Sequence, residues 1–378
     1  FAEKGHEVHI ASFKRPKNLD MYANIHIHHL KSGFLPNDHW MNKLVVRILD
    51  ALGLGHTTFN PVFIFRQLKE LLNEIKPDIL HGHSIIHHTI IGCFTNFHPY
   101  VVSAWGNDVL IYPTKSKIVK YFVKHVLAKA DIITSDGENS KLAMINLGAD
   151  RDKIEIIYHG VDTEEFSPSK KNHKLFPDLF GGDNFPTVVS ARSLSSMYDV
   201  ETLIKAVPIV LQRIPECKFL IAGKGPQMSY LEHLTVSLNV QDNVRFVGWI
   251  PHNQLASYLA SADVYVSTSL WDGGMGVATV DALACGTAPV VTDVADHRLW
   301  IEDGKNGLLF SKKDYHTLAQ KIIYLLENEE IRIGFGRINR RLMQEKQEYH
   351  KNMKRMEEIY YELYTRSRRN NTTKVEQR

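Results

Sequence analysis

Between Val264 and Val291 the chain reads as an apolar strand, a polar glycine-bearing turn, a short helix and a second β-rich run. The turn and helix fall in STSLWDGGMGVATVDALACGTAPVV, with Asp281 near the helix start and Cys285-Gly286-Thr287 closing it. A strand that feeds a helix and then another strand belongs to a parallel α/β sheet. The same unit can hold an anion. The first N–H groups of a helix have no internal partner and carry partial positive charge, and glycines let a phosphate approach the backbone. An acidic residue about two turns in could take a ribose diol. A plain connection between strands is the alternative reading of such a turn.

The rest of the chain repeats the alternation. EVHIAS reads as a strand, Pro61 to Ile75 as a helix ended by Lys76-Pro77, and DILHGHS as a buried strand. YVVSAWG, a helix from Lys115 to Ala130, the strand DIITS, a helix from Asn139 to Leu147 and KIEIIY complete the first half. Residues 167–186 are rich in Pro, Lys, Gly, Asp and Asn without periodicity and read as an interdomain linker. The alternation then restarts with TVVSAR, and Gly223-Lys224-Gly225-Pro226 makes a second glycine turn after KFLIAG. A long helix from Leu342 to Thr365 follows, then a polar tail that frays. The expected division is a first domain over 1–166, the linker over 167–186, a second domain over 187–341, a terminal helix over 342–366 packing back on the first, and a tail over 367–378. Phe1 to Gly5 reads as a glycine-capped helix end ahead of the first strand, so a preceding strand and about 20–30 further residues are expected in the full-length protein.

Composition removes several classes. A chain of 378 residues with 44% hydrophobic and 23% charged residues is a soluble globular protein with core enough for two domains. A net charge of +3 gives no ground for nucleic-acid binding. Cys93, Cys217 and Cys285 lie far apart in apolar contexts, which predicts buried reduced thiols in a cytoplasmic protein. No stretch reaches the ~20 apolar residues of a membrane span.

In this order, GHEVHI, KPDILHGHS, SAWGNDVL, IIYHGVDTEEFSP, VVSARSL, LIAGKGPQ, VRFVGWIP, ADVYVSTS, DALACGTAPVV and DGKNGLLF resemble the glycosyltransferases of family 4, over nearly the whole chain. The resemblance implies the GT-B fold, α/β with two Rossmann-like domains whose parallel sheets face across a cleft. It implies retaining transfer of a sugar from a UDP- or GDP-linked donor, with no metal or other cofactor. The donor would lie on the second domain and a glycan or lipid-linked acceptor on the first.

Residue by residue, the resemblance places Arg192 on the donor diphosphate, where a fixed planar donor suits a leaving anion. The family's following lysine is absent, Met197 and Tyr198 standing there; Lys224 either supplies that charge or sits in a solvated turn. Of two family carboxylates separated by seven residues, Asp281 matches the second, which takes the ribose. The first falls on Gly273, with Asp272 one residue upstream. Asp272 either still reaches the donor sugar or serves only as a turn aspartate. Gly223, Gly273, Gly274, Met275, Gly276 and Val277 would surround the diphosphate, and Trp249 and Ile250 the nucleobase unless the tryptophan is core. On the acceptor side the resemblance points to His83, Trp105, Gly106 and Asp108. Trp105 replaces a histidine that the family often carries, so no proton shuttle is expected there. His159-Gly160-Val161-Asp162 would lie by the hinge. His26 and His28 share a strand face that would suit a metal, but without a third acidic or thiol ligand in view they read as partly exposed histidines.

No nucleophile stands where a double displacement would need one, so front-face attack fits, with charge stabilised by Arg192 and the helix N-terminus. The segment from Lys115 to Ala130 carries Lys115, Lys117, Lys120, Lys124 and Lys129 and no acid, beside a stripe of Ile118, Val119, Phe122, Val126 and Leu127. It either packs on the core with a solvated basic back or docks on the inner face of an anionic membrane. Trp40 to Leu54 is a second candidate surface for an acceptor. Two rival functions remain open: a nucleotide-sugar epimerase of the same fold, and a non-catalytic partner subunit.

Overall fold

The computed structural model describes residues 1–12, 24–31, 61–86, 88–182, 185–271, 274–294 and 296–376. Asp272, Gly273, His87 and the segment from Trp40 to Leu54 lie outside them. The chain divides into one unit of 1–157 plus 354–378 and a second of 158–353.

The first unit begins with two parallel strands, β1 (Val8–Ser12) and β2 (Ile25–His29), whose register sets His9 beside His26. A separate four-stranded parallel sheet follows: β3 (Leu80–His83), β4 (Tyr100–Ala104), β5 (Ile132–Ser135) and β6 (Ile154–Ile156), in that spatial order. Successive residues of a strand face opposite ways, and β4 shows the consequence. Val102 joins Val119, Val123 and Val126 of the helix Lys117–Lys129 in one core layer. Val101 joins Met356, Ile359 and Leu363 of the helix Tyr349–Glu376 in another. Both faces are covered, so YVVSA needs no polar alternation. Each such valine or leucine stabilises the fold by about 1.5–3 kcal/mol when fully buried.

The second unit is one six-stranded parallel sheet in the order β12-β11-β10-β7-β8-β9. Its strands are β7 (Thr187–Ala191), β8 (Lys218–Ala222), β9 (Val244–Gly248), β10 (Val264–Ser267), β11 (Ala288–Thr292) and β12 (Leu308–Phe310). Alternation again divides its core. Val188, Phe219, Ile221, Val264 and Val266 pack with helices Val200–Arg213 and Tyr315–Glu327 on one side. Val189, Leu220, Tyr265 and Val291 pack with His252–Ser261 and Val277–Ala284 on the other. The order reverses between β7 and β10. From β7 the chain first moves outward through β8 and β9, then returns to β10 and leaves through β11 and β12. Ligands of open parallel sheets bind beyond the carboxyl ends of strands at such a reversal.

Two boundaries differ from the sequence reading. Residues 167–186 are no linker: they carry a helix, Leu175–Phe180, and Phe166, Phe176, Phe180 and Phe185 pack into the second unit's core. A few large aromatic side chains that reach the core outweigh a loop-like composition there. The terminal helix is also broken. One helix runs Glu329–Lys346 in the second unit, Gln347 and Glu348 interrupt it, and Tyr349–Glu376 crosses into the first unit at Lys354.

Candidate active site

The loops after β7 and β8 lie directly on one another. Arg192 N–H donates to Ala222 O at 3.1 Å, and Leu194 N–H to Lys224 O at 3.1 Å. Neither glycine of the second turn has room for a side chain. A Cβ on Gly223, whose φ is +141°, would stand 2.0 Å from Arg192 O, and one on Gly225 2.2 Å from Leu194 O. The space read from sequence as room for a phosphate at Gly223 is therefore filled by the neighbouring loop's carbonyls. Those glycines set the height of Arg192 above the sheet.

Arg192 is half-buried, and its guanidinium lies 4.4 Å from the centre of the Tyr198 ring. The same loop is tied to the one after β10: Thr268 Oγ1 donates to Tyr198 O at 2.8 Å, and Leu270 N–H to Met197 O at 2.9 Å. The Arg192 loop and the start of the loop after β10 are thus joined through backbone carbonyls at the sheet's reversal point.

Beyond that turn the helix Val277–Ala284 starts from Gly276, at φ +79° and ψ +128°, with no side-chain cap. Val277 is 45% exposed, so this helix start is open to solvent. Gly274 and Met275 are buried. Met275's side chain belongs to the core, so any contact it makes with a donor is through its backbone. His297, fully buried, bridges Thr292 O at 2.6 Å with Nδ1 and Met275 O at 3.1 Å with Nε2. Thr292 Oγ1 in turn donates to Ser269 O at 2.6 Å. Nothing in the sequence marks His297 as a brace for the glycine turn, because its two partners are backbone atoms on different loops.

Asp281 is placed differently from expectation. Its residue is 1% exposed and its Oδ2 lies 3.4 Å from Nε2 of His252, the first residue of the helix after β9. Desolvation raises its pKa, while the bond to Asp281 raises that of His252. The His252 side chain is 60% exposed and rests on Phe166, with ring centroids 4.6 Å apart. The exposed His252 imidazole is thus the group presented outward, with the buried Asp281 carboxylate behind it.

Trp249 is 66% exposed, which removes the core-tryptophan reading, and Ile250 is half-buried against the core. Lys224 is exposed and folds over Gly248, its Cε 3.3 Å from where a Cβ would stand. Its charge therefore lies beside the β9 loop that carries Trp249.

In the first unit, His83 ends β3 and stacks on His81 with centroids 4.1 Å apart. Trp105, 64% exposed, meets His83 edge-on at 6.1 Å. Gly106, at φ +89°, starts the helix Asn107–Leu110. Asp108 is not free to bind an acceptor: it is 2% exposed, and its carboxylate accepts from Ile85 N–H at 2.7 Å and Trp105 N–H at 3.0 Å. It pins two loops and so presents the Trp105 ring. Burial raises its pKa against these bonds. Behind it, His81 bridges Tyr360 Oη at 2.5 Å and Ser103 Oγ at 2.7 Å. Desolvation, and then the neighbouring His83, hold its pKa well below the ordinary histidine value.

The helix Lys117–Lys129 is capped by Ser116, whose hydroxyl accepts from Val119 N–H at 3.4 Å. Its buried stripe is Val119, Val123, Val126 and Leu127, with Ile118 38% exposed and therefore outside it. The outer face carries Tyr121, 67% exposed, against Phe122 and His125, with Phe94, the last residue of the helix His88–Phe94, stacked on His125. Among the described residues no helix is long and apolar enough to cross a membrane.

Residues 173–342 match the family profile of glycosyl transferases group 1, and residues 1–137 that of glycosyl transferase 4-like proteins. The chain is 22% identical to N-acetyl-alpha-D-glucosaminyl L-malate synthase of Bacillus anthracis, over 96% of its own length and 91% of that protein's. It is 25% identical to a GDP-mannose-dependent alpha-(1-6)-phosphatidylinositol monomannoside mannosyltransferase of Mycolicibacterium smegmatis, over 55% of this chain and 56% of that one. Among solved structures, Anabaena HepE in complex with UDP-glucose superposes with a TM-score of 0.73 at 18% identity, over 90% of this chain and 87% of that one.

Proposed function

Because the chain belongs to the family 4 type of glycosyltransferases with the GT-B fold, we propose that it moves a sugar, with retention and without a metal, from a nucleoside-diphosphate sugar held on its second unit. The observation that carries this reading is the sheet's reversal point. There the Arg192 loop is bonded to the loops after β8 and β10, and the loop after β10 leads on to an uncapped helix start. A relative that uses GDP-mannose and a structural neighbour that binds UDP-glucose support a nucleotide-sugar donor.

The diphosphate would take the open amides at Gly276–Val277 and the Arg192 guanidinium, with Lys224 supplying further positive charge. Trp249 and Ile250 would hold the base, and His252, braced by Asp281, the ribose. The acceptor oxygen bonds to the anomeric carbon on the face from which the diphosphate departs. The bond from that carbon to the phosphate oxygen breaks, and the acceptor's proton passes to the leaving phosphate. Fixed amides and a guanidinium aimed at the departing charge need no reorganisation, and removal of one such donor costs about 10²–10³ in rate in related chemistry.

A glycan or lipid-linked acceptor would meet His83 and Trp105, whose exposed indole offers a face for a sugar ring. The exposed Tyr121, Phe94 and Ile118 among Lys117, Lys120 and Lys124 support docking on an anionic membrane surface, since aromatics and basic residues favour that interface. A cytoplasmic site of action is consistent with that reading.

Titration with UDP, GDP and their sugars, followed by donor turnover with and without glycan acceptor, tests it. Arg192→Ala should lower turnover about 10²-fold and Arg192→Lys less. Turnover without any acceptor would favour an epimerase. Nucleotide binding with turnover indifferent to Arg192 would favour a non-catalytic subunit.

A further inference from the structure

In the first unit, far along the chain from the donor loops, parallel pairing gathers donor atoms that the sequence keeps apart. Alternation sets Glu7 and His9 on one face of β1, and His26 and His28 on the same face of β2. The register aligns His9 with His26 and Ala11 with His28. Glu7 Oε1 lies 3.1 Å from His9 Nε2 and 3.5 Å from His26 Nε2. One ligand atom from each of the three residues lies within 4.8 Å of the others. A tetrahedral ion with bonds of about 2.0–2.1 Å sets its ligand atoms about 3.3 Å apart, which is the spacing already present around Glu7.

We propose that Glu7, His9 and His26 form a site for a zinc-class divalent cation, with His28 as the residue that positions His9. Two imidazoles and one carboxylate suit zinc, cobalt or nickel better than magnesium or calcium, which prefer oxygen. His9 Nδ1 lies 2.9 Å from His28 Nε2. With the proton on Nδ1, His9 donates to His28 and turns the Nε2 lone pair toward Glu7 and His26. Metal-bound histidines are commonly oriented in this way through the second ring nitrogen. The His9 side chain is 18% exposed, His26 49% and Glu7 70%, so an ion enters from solvent and water completes its fourth position. The His9 and His26 rings lie 4.8 Å apart and nearly parallel. A rotation of the half-exposed His26 ring brings both Nε2 atoms to one point. Bound to the folded state alone, the ion would clip β1 to β2.

The test is a zinc titration of the full chain, free of any oligohistidine tag and stripped with chelator, in competition with a chromogenic chelator. One ion per chain is expected, together with a rise in Tm on saturation. Glu7→Gln and His26→Ala should abolish the competing site while leaving the metal-free Tm unchanged. His28→Ala should weaken binding about 10–100-fold, and His28→Gln, whose amide oxygen still accepts from His9, should restore most of it. No zinc uptake by the parent chain would overturn the proposal. So would uptake undiminished in Glu7→Gln and His26→Ala, or a His28→Ala variant that binds as tightly as the parent.

Discussion

Three glycine-to-alanine substitutions, two at the candidate site and one elsewhere as a control, separate backbone strain from loop contact. Gly304 has φ +80° with nothing within 4 Å of an added Cβ, so Gly304→Ala carries only the left-handed penalty, about 1–2 kcal/mol. Gly225 lies outside the left-handed region, but its Cβ would stand 2.2 Å from Leu194 O. Real Cβ contacts stay beyond 3.0 Å, so the loop must yield by at least 0.8 Å (3.0 − 2.2). The cost of such overpacking is about 1–3 kcal/mol. Gly223 combines both faults, with φ +141° and a contact of 2.0 Å to Arg192 O. Summing a strain of about 1–3 kcal/mol with the overpacking gives about 2–6 kcal/mol for Gly223→Ala. In a domain of this size about 1 kcal/mol moves Tm by about 2–4 °C, so a fall of at least ~4 °C is expected. Function separates the three further. Only Gly223→Ala and Gly225→Ala displace the Arg192 loop, and a misplacement of about 1 Å can cost 10²-fold in rate. Thermal unfolding, calorimetry with UDP and GDP, and donor turnover read all of this from one set of proteins. If Gly223→Ala loses no more stability than Gly304→Ala and binds nucleotide like the parent, the loop contact carries no weight and the account of Arg192's placement is wrong.

Other consequences are equally open to measurement. His81, whose folded pKa lies well below its unfolded value, should cost stability as pH falls. Between about pH 6.5 and the folded pKa the unfolded chain binds the extra proton, so stability falls by up to about 1.4 kcal/mol per pH unit. Urea unfolding at pH 7.5 and 5.5 should show this loss, and His81→Gln should remove that histidine's share of it. Asp281→Asn withdraws the charge that raises the His252 pKa, so an NMR titration of that imidazole should shift downward; an unchanged titration would break the assigned pair. Replacement of Lys117, Lys120 and Lys124 by glutamate should release the protein from anionic liposomes while leaving UDP or GDP binding intact. Co-sedimentation unchanged by the three charges would remove the membrane reading.

The strand–helix alternation was legible because buried parallel strands such as TVVSA and KFLIA are apolar without interruption. That alternation makes every loop after a strand a candidate site; the reversal between β7 and β10, which singles out the loops at Arg192 and Thr268, comes from the strand order. What escaped was whatever depends on register or on backbone partners. Glu7 and His9 precede His26 by nearly twenty residues, and only the parallel pairing of β1 with β2 reveals a shared face. Gly223 and Gly225 look like a phosphate turn in one dimension; their actual neighbours are the carbonyls of another loop. Asp281 reads as a ligand contact by the family resemblance and its place in the helix after the glycine turn, and Asp108 by that resemblance alone. Their burial, which turns one toward His252 and the other toward two amides, is decided by packing. The aromatics of 166–185 show that composition alone misplaces a boundary when a few large side chains find the core.

These corrections bear on how such a site could work with so few acids and bases. Of the residues first taken as ligand contacts, Asp281, Asp108 and Met275 turn inward, Arg192 is half-buried over Tyr198, and Trp249 and the helix start at Val277 are exposed. These three offer a permanent cation, an aromatic face and peptide N–H groups, none of which exchanges a proton near neutral pH; the outward group that does is the exposed His252 imidazole. A reaction whose main demand is charge on a departing diphosphate can run on such groups if they are held still. The inward groups do the holding. Asp281 braces His252, His297 ties Met275 to the end of β11, and Thr268 ties the β10 loop to Tyr198 beneath Arg192. On this view the buried polar residues serve catalysis by fixing backbone positions. Asp272 and Gly273, where the first family carboxylate falls, lie outside the described residues, and the electrostatic arrangement provided by the other groups does not draw on them.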